Sequence, residues 1–130
     1  MSEDQEEVVK TLAIAAVALV ASGSAVKVTI SAPTHRPRIN VRWHYVVRAT
    51  RDGRPITARI TVQVVDPIGG VHPVQFGSST KSITRFRFRG VFRDYIIWPP
   101  ESRGFTLKVR AIVVGKGVRK VVLYAVTPHA

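Results

Sequence analysis

From residue 26 onward, apolar and polar side chains alternate along the chain with a period of two. This period is typical of strands that bury one face. The clearest runs are "VRWHYVV" and "ARITVQVV", and shorter runs predict strands at 27–32, 74–76, 82–88 and 92–98. No helical period follows residue 25. The pattern therefore predicts an all-β domain, an antiparallel sandwich of about seven strands.

An Asp-Gly dipeptide at 52–53 separates the two clearest runs. Asp-Gly is the strongest short-range signal for a two-residue hairpin turn. Such a turn fixes the register of its strands, so we expect Trp43 opposite Val62 and Tyr45 opposite Ile60. The apolar pattern, taken by itself, is compatible with the same pairing.

A second hairpin is predicted near the C-terminus, where "GKG" at 115–117 joins "FTLKVRAIVV" to "VRKVVLYAV". A three-residue loop pairs Val109 with Leu123, whereas a two-residue loop pairs Val109 with Tyr124. Both registers give apolar pairs, so the sequence leaves both open.

The Trp43 strand, the Asp-Gly hairpin and the closing pair "FTLKVRAIVVGKGVRKVVLYAVTP" resemble those of immunoglobulin-like and fibronectin type III-like sandwiches. The segments "PTHRPRINVRWHYVVRAT", "VDPIGGVHPVQFG" and "FRDYIIWPPESRGF" are similar to those of small secreted proteins of high-GC Gram-positive bacteria. The resemblance covers residues 26–130. It implies an exported sandwich domain and gives no active site to carry over. The sequence has no cysteine, so it departs from antibody-type domains, whose sheets are joined by a disulfide.

The first 25 residues differ in composition from the rest of the chain. The apolar run at 12–21 is about half as long as a bilayer span, so no stable membrane span is expected. The run suits the core of a signal peptide, and the small residues that follow suit cleavage after Ala25. The acidic start instead suits the first turn of a retained hydrophobic helix capped by Ser2. We favour the signal peptide for residues 1–25, with residues 26–130 as the domain.

The charge of the domain is strongly basic. Residues 26–130 carry 19 Lys and Arg against 4 Asp and Glu, a formal charge of +15. Such a domain attracts polyanions, including nucleic acid, anionic lipid and acidic wall polymers. The same charge also keeps a β-rich domain soluble.

The stretch "TRFRFRGVFR" at 84–93 interleaves arginine with phenylalanine. Arginine binds phosphates in a fork, and aromatic rings stack on bases. In a strand, however, alternation sends the two residue types to opposite faces, with the phenylalanines in the core. The candidate anion-binding residues of the chain are Arg42, Arg59, Arg85, Arg87, Arg89, Arg93 and Arg110.

The sequence offers little for catalysis or metal binding. The four histidines lack the spacing of metal ligands, and no serine-nucleophile or phosphate-loop motif is present. Asp94 and Glu101 are the remaining candidates for an acid–base pair, but an ion pair of Asp94 with Arg93 explains Asp94 more simply. We expect no enzymatic activity, no cofactor and no metal.

The sequence therefore favours a secreted or cell-envelope β-sandwich that binds through its basic surface, with an anionic wall polymer or a protein as partner. One alternative is an intracellular nucleic-acid-binding protein that uses residues 84–93. The other is a structural or designed scaffold without a ligand.

Overall fold

The computed structural model describes residues 25–130, which form two antiparallel sheets. The hydrophobic helix and the signal peptide considered for the N-terminal segment lie outside the described residues. Nine strands are described rather than about seven. The two short strands, of two and three residues, are not predicted by the alternation, and the strand predicted at 74–76 is not formed. The all-β prediction is confirmed for this part of the chain.

The smaller sheet is built around β2 (Arg42–Arg51). Strand β1 (Val26–Ser31) pairs with its C-terminal half, and β7 (Val91–Ile97) pairs with its N-terminal part. The two-residue strand β3 (Arg54–Pro55) pairs with the last two residues of β2. All three pairings are antiparallel.

The larger sheet is built around β4 (Thr57–Val65). On one side β4 pairs with β8 (Leu107–Gly115), which in turn pairs with β9 (Val118–Val126). It also pairs with β5 (Val71–Pro73) at its C-terminal end and with β6 (Phe86–Arg89) at its N-terminal end. A single 3-10 turn, Pro100–Ser102, interrupts the connection between β7 and β8.

The core lies between the two sheets and is formed by the side chains that alternate inward. Tyr45 and Val47 of β2, Ile60 of β4 and Val109 of β8 are completely buried. A fully buried valine or isoleucine contributes about 1.5–3 kcal/mol to stability. The period-two pattern therefore identifies the buried faces of β2, β4 and β8 correctly.

The expected register of the first hairpin is correct only beside its turn. Arg51 pairs with Arg54 as a two-residue loop requires, and Asp52 and Gly53 both have positive φ. The chain then leaves the smaller sheet, so the expected pairings of Trp43 with Val62 and of Tyr45 with Ile60 are both wrong. Trp43 lies opposite Ile96 of β7 instead. The alternation survives this change because each strand still buries the same face.

The chain leaves the smaller sheet at Ile56. Beside this point, at Gly90, a second segment crosses between the two sheets. The chain enters the larger sheet at Ile56, and at Gly90 it returns from β6 to β7 in the smaller sheet. Three backbone hydrogen bonds close a triangle there: Ala49 N–H to Gly90 O (2.9 Å), Gly90 N–H to Ile56 O (2.9 Å) and Ile56 N–H to Ala49 O (3.3 Å). The two crossings therefore form one bonded unit.

The second hairpin has the two-residue loop. Val109 pairs with Tyr124 and Gly115 with Val118, and Lys116 has a φ of 51°. The sequence leaves this choice open because both registers bring apolar residues together.

Replacing Gly90 tests the double crossing. Gly90 has a φ of 70°, and a Cβ there would lie 2.6 Å from Cβ of Pro55. The substitution Gly90→Ala should therefore lower the free energy of unfolding in urea by about 1–2 kcal/mol for the left-handed backbone and by about 1–3 kcal/mol more for the overlap.

The matched control is Gly53→Ala. Gly53 has a φ of 76°, but a Cβ there would meet no atom within 4 Å. Gly53→Ala should therefore lower the free energy of unfolding only by the cost of the left-handed backbone. Equal losses in the two variants would contradict the close packing of Gly90 on Pro55.

Candidate functional site

The outward face of the larger sheet carries most of the predicted arginines. The exposed side chains of Arg59 on β4 and of Arg87 and Arg89 on β6 lie on it. Strands β8 and β9 add three further basic residues at outward positions, namely Lys108, Arg110 and Arg119. The sequences of β4, β6, β8 and β9 contain no Asp or Glu. We call these six residues the basic face.

Two arginines of the basic face lie directly opposite each other. Arg59 pairs with Arg87 in the β4–β6 register. The Arg59 guanidinium donates a hydrogen bond from Nη1 to the carbonyl oxygen of Arg85 (3.2 Å). Arg85 precedes β6 with a φ of 46°, and its N–H donates to Thr61 Oγ1 (3.0 Å). Arg85 thus helps to position Arg59 through its backbone.

Arg110 is less available than the other residues of the basic face. It is half-buried, and its guanidinium donates to Gln63 Oε1 from Nε (3.0 Å) and from Nη2 (2.7 Å). Gln63 is its cross-strand partner on β4. Part of the guanidinium therefore serves the packing of the sheet surface.

The other two candidate arginines belong to the smaller sheet. Arg42 and Arg93 are exposed on β2 and β7, and the Arg42 guanidinium carbon lies 4.6 Å from the ring centre of Tyr95. The seven candidate arginines therefore do not form a single surface. Five lie on or beside the basic face, and two lie on the outward face of the other sheet.

The phenylalanines of the 84–93 stretch point away from the arginines of β6. Phe88 is buried, as expected of a core residue. Phe86 lies 5.0 Å from Phe76 and 5.8 Å from Phe92, measured between ring centres, but it is 44% exposed, so the expectation that it lies in the core is wrong. The expected separation of arginine and phenylalanine onto opposite faces of the strand is confirmed. No phenylalanine ring of this stretch therefore lies on the basic face, although arginine and phenylalanine are neighbours in the sequence.

Sequence reasoning missed Lys108 and Arg119 as members of the basic face. The signal for Lys108 was available, because it alternates with the inward Leu107 and Val109 on a predicted strand. Arg119 is followed by the exposed Lys120, and its face depends on the register of the second hairpin, which the sequence leaves open. Exposed apolar side chains also lie among the bases on this face, notably Val114, Val121 and Leu123.

A separate cleft of about 700 Å³ lies where the ends of the two sheets diverge, and we call it the end cleft. Val64 and residues 72–75, at the end of β5 and just after it, form one side. Residues 95–99, at the end of β7 and just after it, form the other. The turn after β7 and the start of β8 close it with Glu101, Ser102, Phe105 and Leu107. None of these residues was predicted as a site, because the lining comes from segments far apart in sequence.

Asp66 organises one rim of the end cleft. One carboxylate oxygen accepts the N–H groups of Ile68 (3.0 Å) and Gly70 (2.7 Å), and the other lies 2.8 Å from His72 Nε2. The contact with His72 and these backbone bonds hold the pKa of Asp66 below its ordinary value. The turn between β4 and β5 is therefore fixed by a charged side chain.

The other rims are also held by hydrogen bonds. Ser102 donates to the carbonyl oxygen of Pro99 from Oγ (2.7 Å) and from its backbone N–H (3.0 Å). Asp94 accepts the N–H of Gly77 (3.1 Å) instead of pairing with Arg93, so that expected ion pair is wrong. Within residues 25–130 the ion pairing of carboxylates is limited to Asp66 and His72.

Residues 25–130 contain no group of three or more His, Asp or Glu side chains placed to hold a metal ion. No helix among the same residues is long and apolar enough to cross a membrane.

Comparisons with known proteins assign no family to the chain. No family model matches the chain, and no curated protein matches it. A DUF4426 family protein from Pseudomonas aeruginosa aligns with a TM-score of 0.45 at 20% identity, over 81% of this chain and 91% of that one. A DUF4466 family protein from Parabacteroides merdae aligns with a TM-score of 0.44 at 16% identity, over 82% of this chain. The chain spans 44% of the Parabacteroides protein.

The lowered pKa of Asp66 predicts a pH-dependent contribution to stability. A depressed carboxyl pKa stabilises the folded state above the unfolded value of that group, and this contribution is lost as the pH falls through the folded value. The substitution Asp66→Asn should therefore destabilise the protein at neutral pH, and the difference from the wild type should shrink in acid. Urea unfolding between pH 7 and roughly pH 3 measures this trend.

The control is Asp52→Asn, which removes the same charge at the β2–β3 turn. Asparagine tolerates the positive φ of that position. A difference between wild type and Asp66→Asn that stays constant across the pH range would contradict the role of the Asp66 charge.

Proposed function

We propose that this protein is a non-enzymatic, secreted or cell-envelope module that binds an anionic polymer through its basic face. The sandwich is proposed to be immunoglobulin-like. The order β1–β2–β7 in one sheet and β4–β8–β9 in the other supports this assignment, since it parallels the A–B–E and C–F–G strands of such domains.

The observation that carries the proposal is the pairing of Arg59 with Arg87 on a face whose strands hold no carboxylate. Like charges directly opposite each other in a sheet destabilise it. Folding alone therefore gives no reason for this pair. An anion bound between the two guanidinium groups would remove their repulsion.

The spacing of the bases favours a polymer over a small anion. Arg87, Arg59 and Arg119 lie along one cross-strand row that runs over β6, β4, β8 and β9. Neighbouring strands are about 4.8 Å apart, so the row extends over roughly 14 Å. A single phosphate contacts one or two of these groups, whereas a chain of phosphates or carboxylates contacts all of them.

Neutralising the central pair should weaken binding without weakening the fold. Full-length Arg59→Gln/Arg87→Gln should bind polyphosphate less tightly, and the slope of log K against log [salt] should fall by about 1.4–1.8 for two lost phosphate contacts. Its free energy of unfolding should equal or exceed that of the wild type, because the like-charge pair is gone.

The matched control is Arg48→Gln/Arg93→Gln. It removes two exposed arginines from the outward face of the smaller sheet, so the net charge is the same in both variants. Equal loss of affinity in the two double variants would show binding by net charge alone, and it would overturn the basic face as the site.

Single-stranded nucleic acid is the competing polymer. The same titration with an oligonucleotide separates the two, since a base-stacking site binds the oligonucleotide more tightly than polyphosphate at equal charge. We expect no such preference, because Phe86 and Phe88 lie on the opposite face of β6 from Arg87 and Arg89. A strong preference for the oligonucleotide would favour the nucleic-acid alternative.

A further inference from the structure

We propose that the end cleft binds a small organic cation, an amine attached to an apolar body about the size of an aromatic ring. The cleft volume of about 700 Å³ falls within the range of small-molecule sites in proteins. This site is separate from the basic face and does not depend on it.

The walls of the end cleft are suited to an apolar body. Phe105 and Ile97 line it, and both remain about half exposed. Beneath them, Trp98 and Leu107 belong to the buried core. When a ligand covers partly exposed apolar side chains in a concave site, the removal of their surface from water contributes favourably to the free energy of binding. The cleft therefore favours an occupant with an apolar ring or chain.

The charges at the end cleft are opposite to those of the domain as a whole. Two of the four carboxylates in residues 26–130, Asp66 and Glu101, line it, and a third, Asp94, bonds the backbone of Gly77, which also lines it. The lining includes none of the 19 lysines and arginines of that region. The lining does include His72, which contacts Asp66, and Arg42 lies over the ring of Tyr95, a further lining residue. Glu101 forms no ion pair within residues 25–130, so it is the carboxylate that gives the cleft its preference for a positive charge.

Trp98 provides a local reporter of occupancy. Its indole N–H is shielded from solvent and has no acceptor among residues 25–130. The indole N–H of Trp43 instead donates to the carbonyl oxygen of Thr34 (2.9 Å). The protein has two tryptophans, so its NMR spectrum contains two indole resonances, which the Trp43→Phe variant assigns. A ligand in the cleft should move the Trp98 resonance further than that of Trp43.

The test compares three probes of similar size on the full-length protein: 2-phenylethylammonium, 2-phenylethanol and 3-phenylpropanoate. Titrations followed by amide and indole NMR shifts should show the cation binding most tightly, the alcohol more weakly and the anion least. The shifts should be concentrated at residues that line the end cleft. Equal affinities for cation and anion, or no cleft shifts with millimolar cation, would overturn the proposal.

Two substitutions identify the source of the charge preference. Glu101→Gln should weaken binding of the cation by about two- to fivefold, which is the scale of an exposed ion pair, and should leave the neutral alcohol unchanged. Asp52→Asn is the matched control, because it removes one negative charge at the β2–β3 turn. Equal weakening by both variants would mean that the overall charge, and not the cleft, selects the cation, and would overturn the proposal.

The proposed polymer binding and the proposed cation binding can be tested independently of each other. Glu101→Gln is expected to leave polyphosphate binding unchanged, and Arg59→Gln/Arg87→Gln is expected to leave the shifts caused by the cation unchanged. A loss in one assay therefore cannot be mistaken for a loss in the other.

Discussion

The bonded triangle of Ala49, Ile56 and Gly90 is the constraint on which the rest of the sandwich depends. At this point two neighbouring segments exchange sheets, one entering the larger sheet and one leaving it. A crossing of a single segment would leave backbone groups unpaired in the core, which is costly. Because the two segments cross together, their backbone groups form hydrogen bonds with each other and with Ala49. The close approach of Gly90 to Pro55 leaves no space for a side chain.

The basic face and the end cleft both follow from this exchange of sheets. It places β6 beside β4, which brings Arg87 opposite Arg59, and it sends β7 with Arg93 to the other sheet. It also separates the later part of β4 from that of β7. The two strands end in different sheets, and the end cleft lies between them.

Alternation along the chain predicts which residues are strands and which face is buried, because both properties are local. It does not predict the partner of a strand. Trp43 faces the core equally well beside Val62 or beside Ile96, so alternation cannot distinguish these two pairings. The Asp-Gly signal predicts the pairing correctly only as far as Pro55, where the pairing with β2 ends. The second hairpin shows the same limit, since Val109 meets an apolar residue in either register and only the loop conformation distinguishes them.

The same distinction applies to the candidate sites. Alternation correctly sends Arg87 and Phe88 to opposite faces, but the choice of sheet decides which arginines become neighbours. The end cleft could not be predicted, because Asp66, Trp98 and Phe105 come together only through the tertiary fold.

The placement of the few carboxylates is the least expected feature of the charge distribution. Solubility requires a high net charge but no particular arrangement of it. Stability alone favours carboxylates beside arginines, for example beside the repelling pair Arg59 and Arg87. Three of the four in residues 26–130 instead hold or line the end cleft, and the fourth, Asp52, forms a turn. A sandwich that needed only to fold and stay soluble has no physical reason to keep its basic face free of acid and its cleft free of lysine and arginine. The two proposed sites, of opposite preference, supply such a reason.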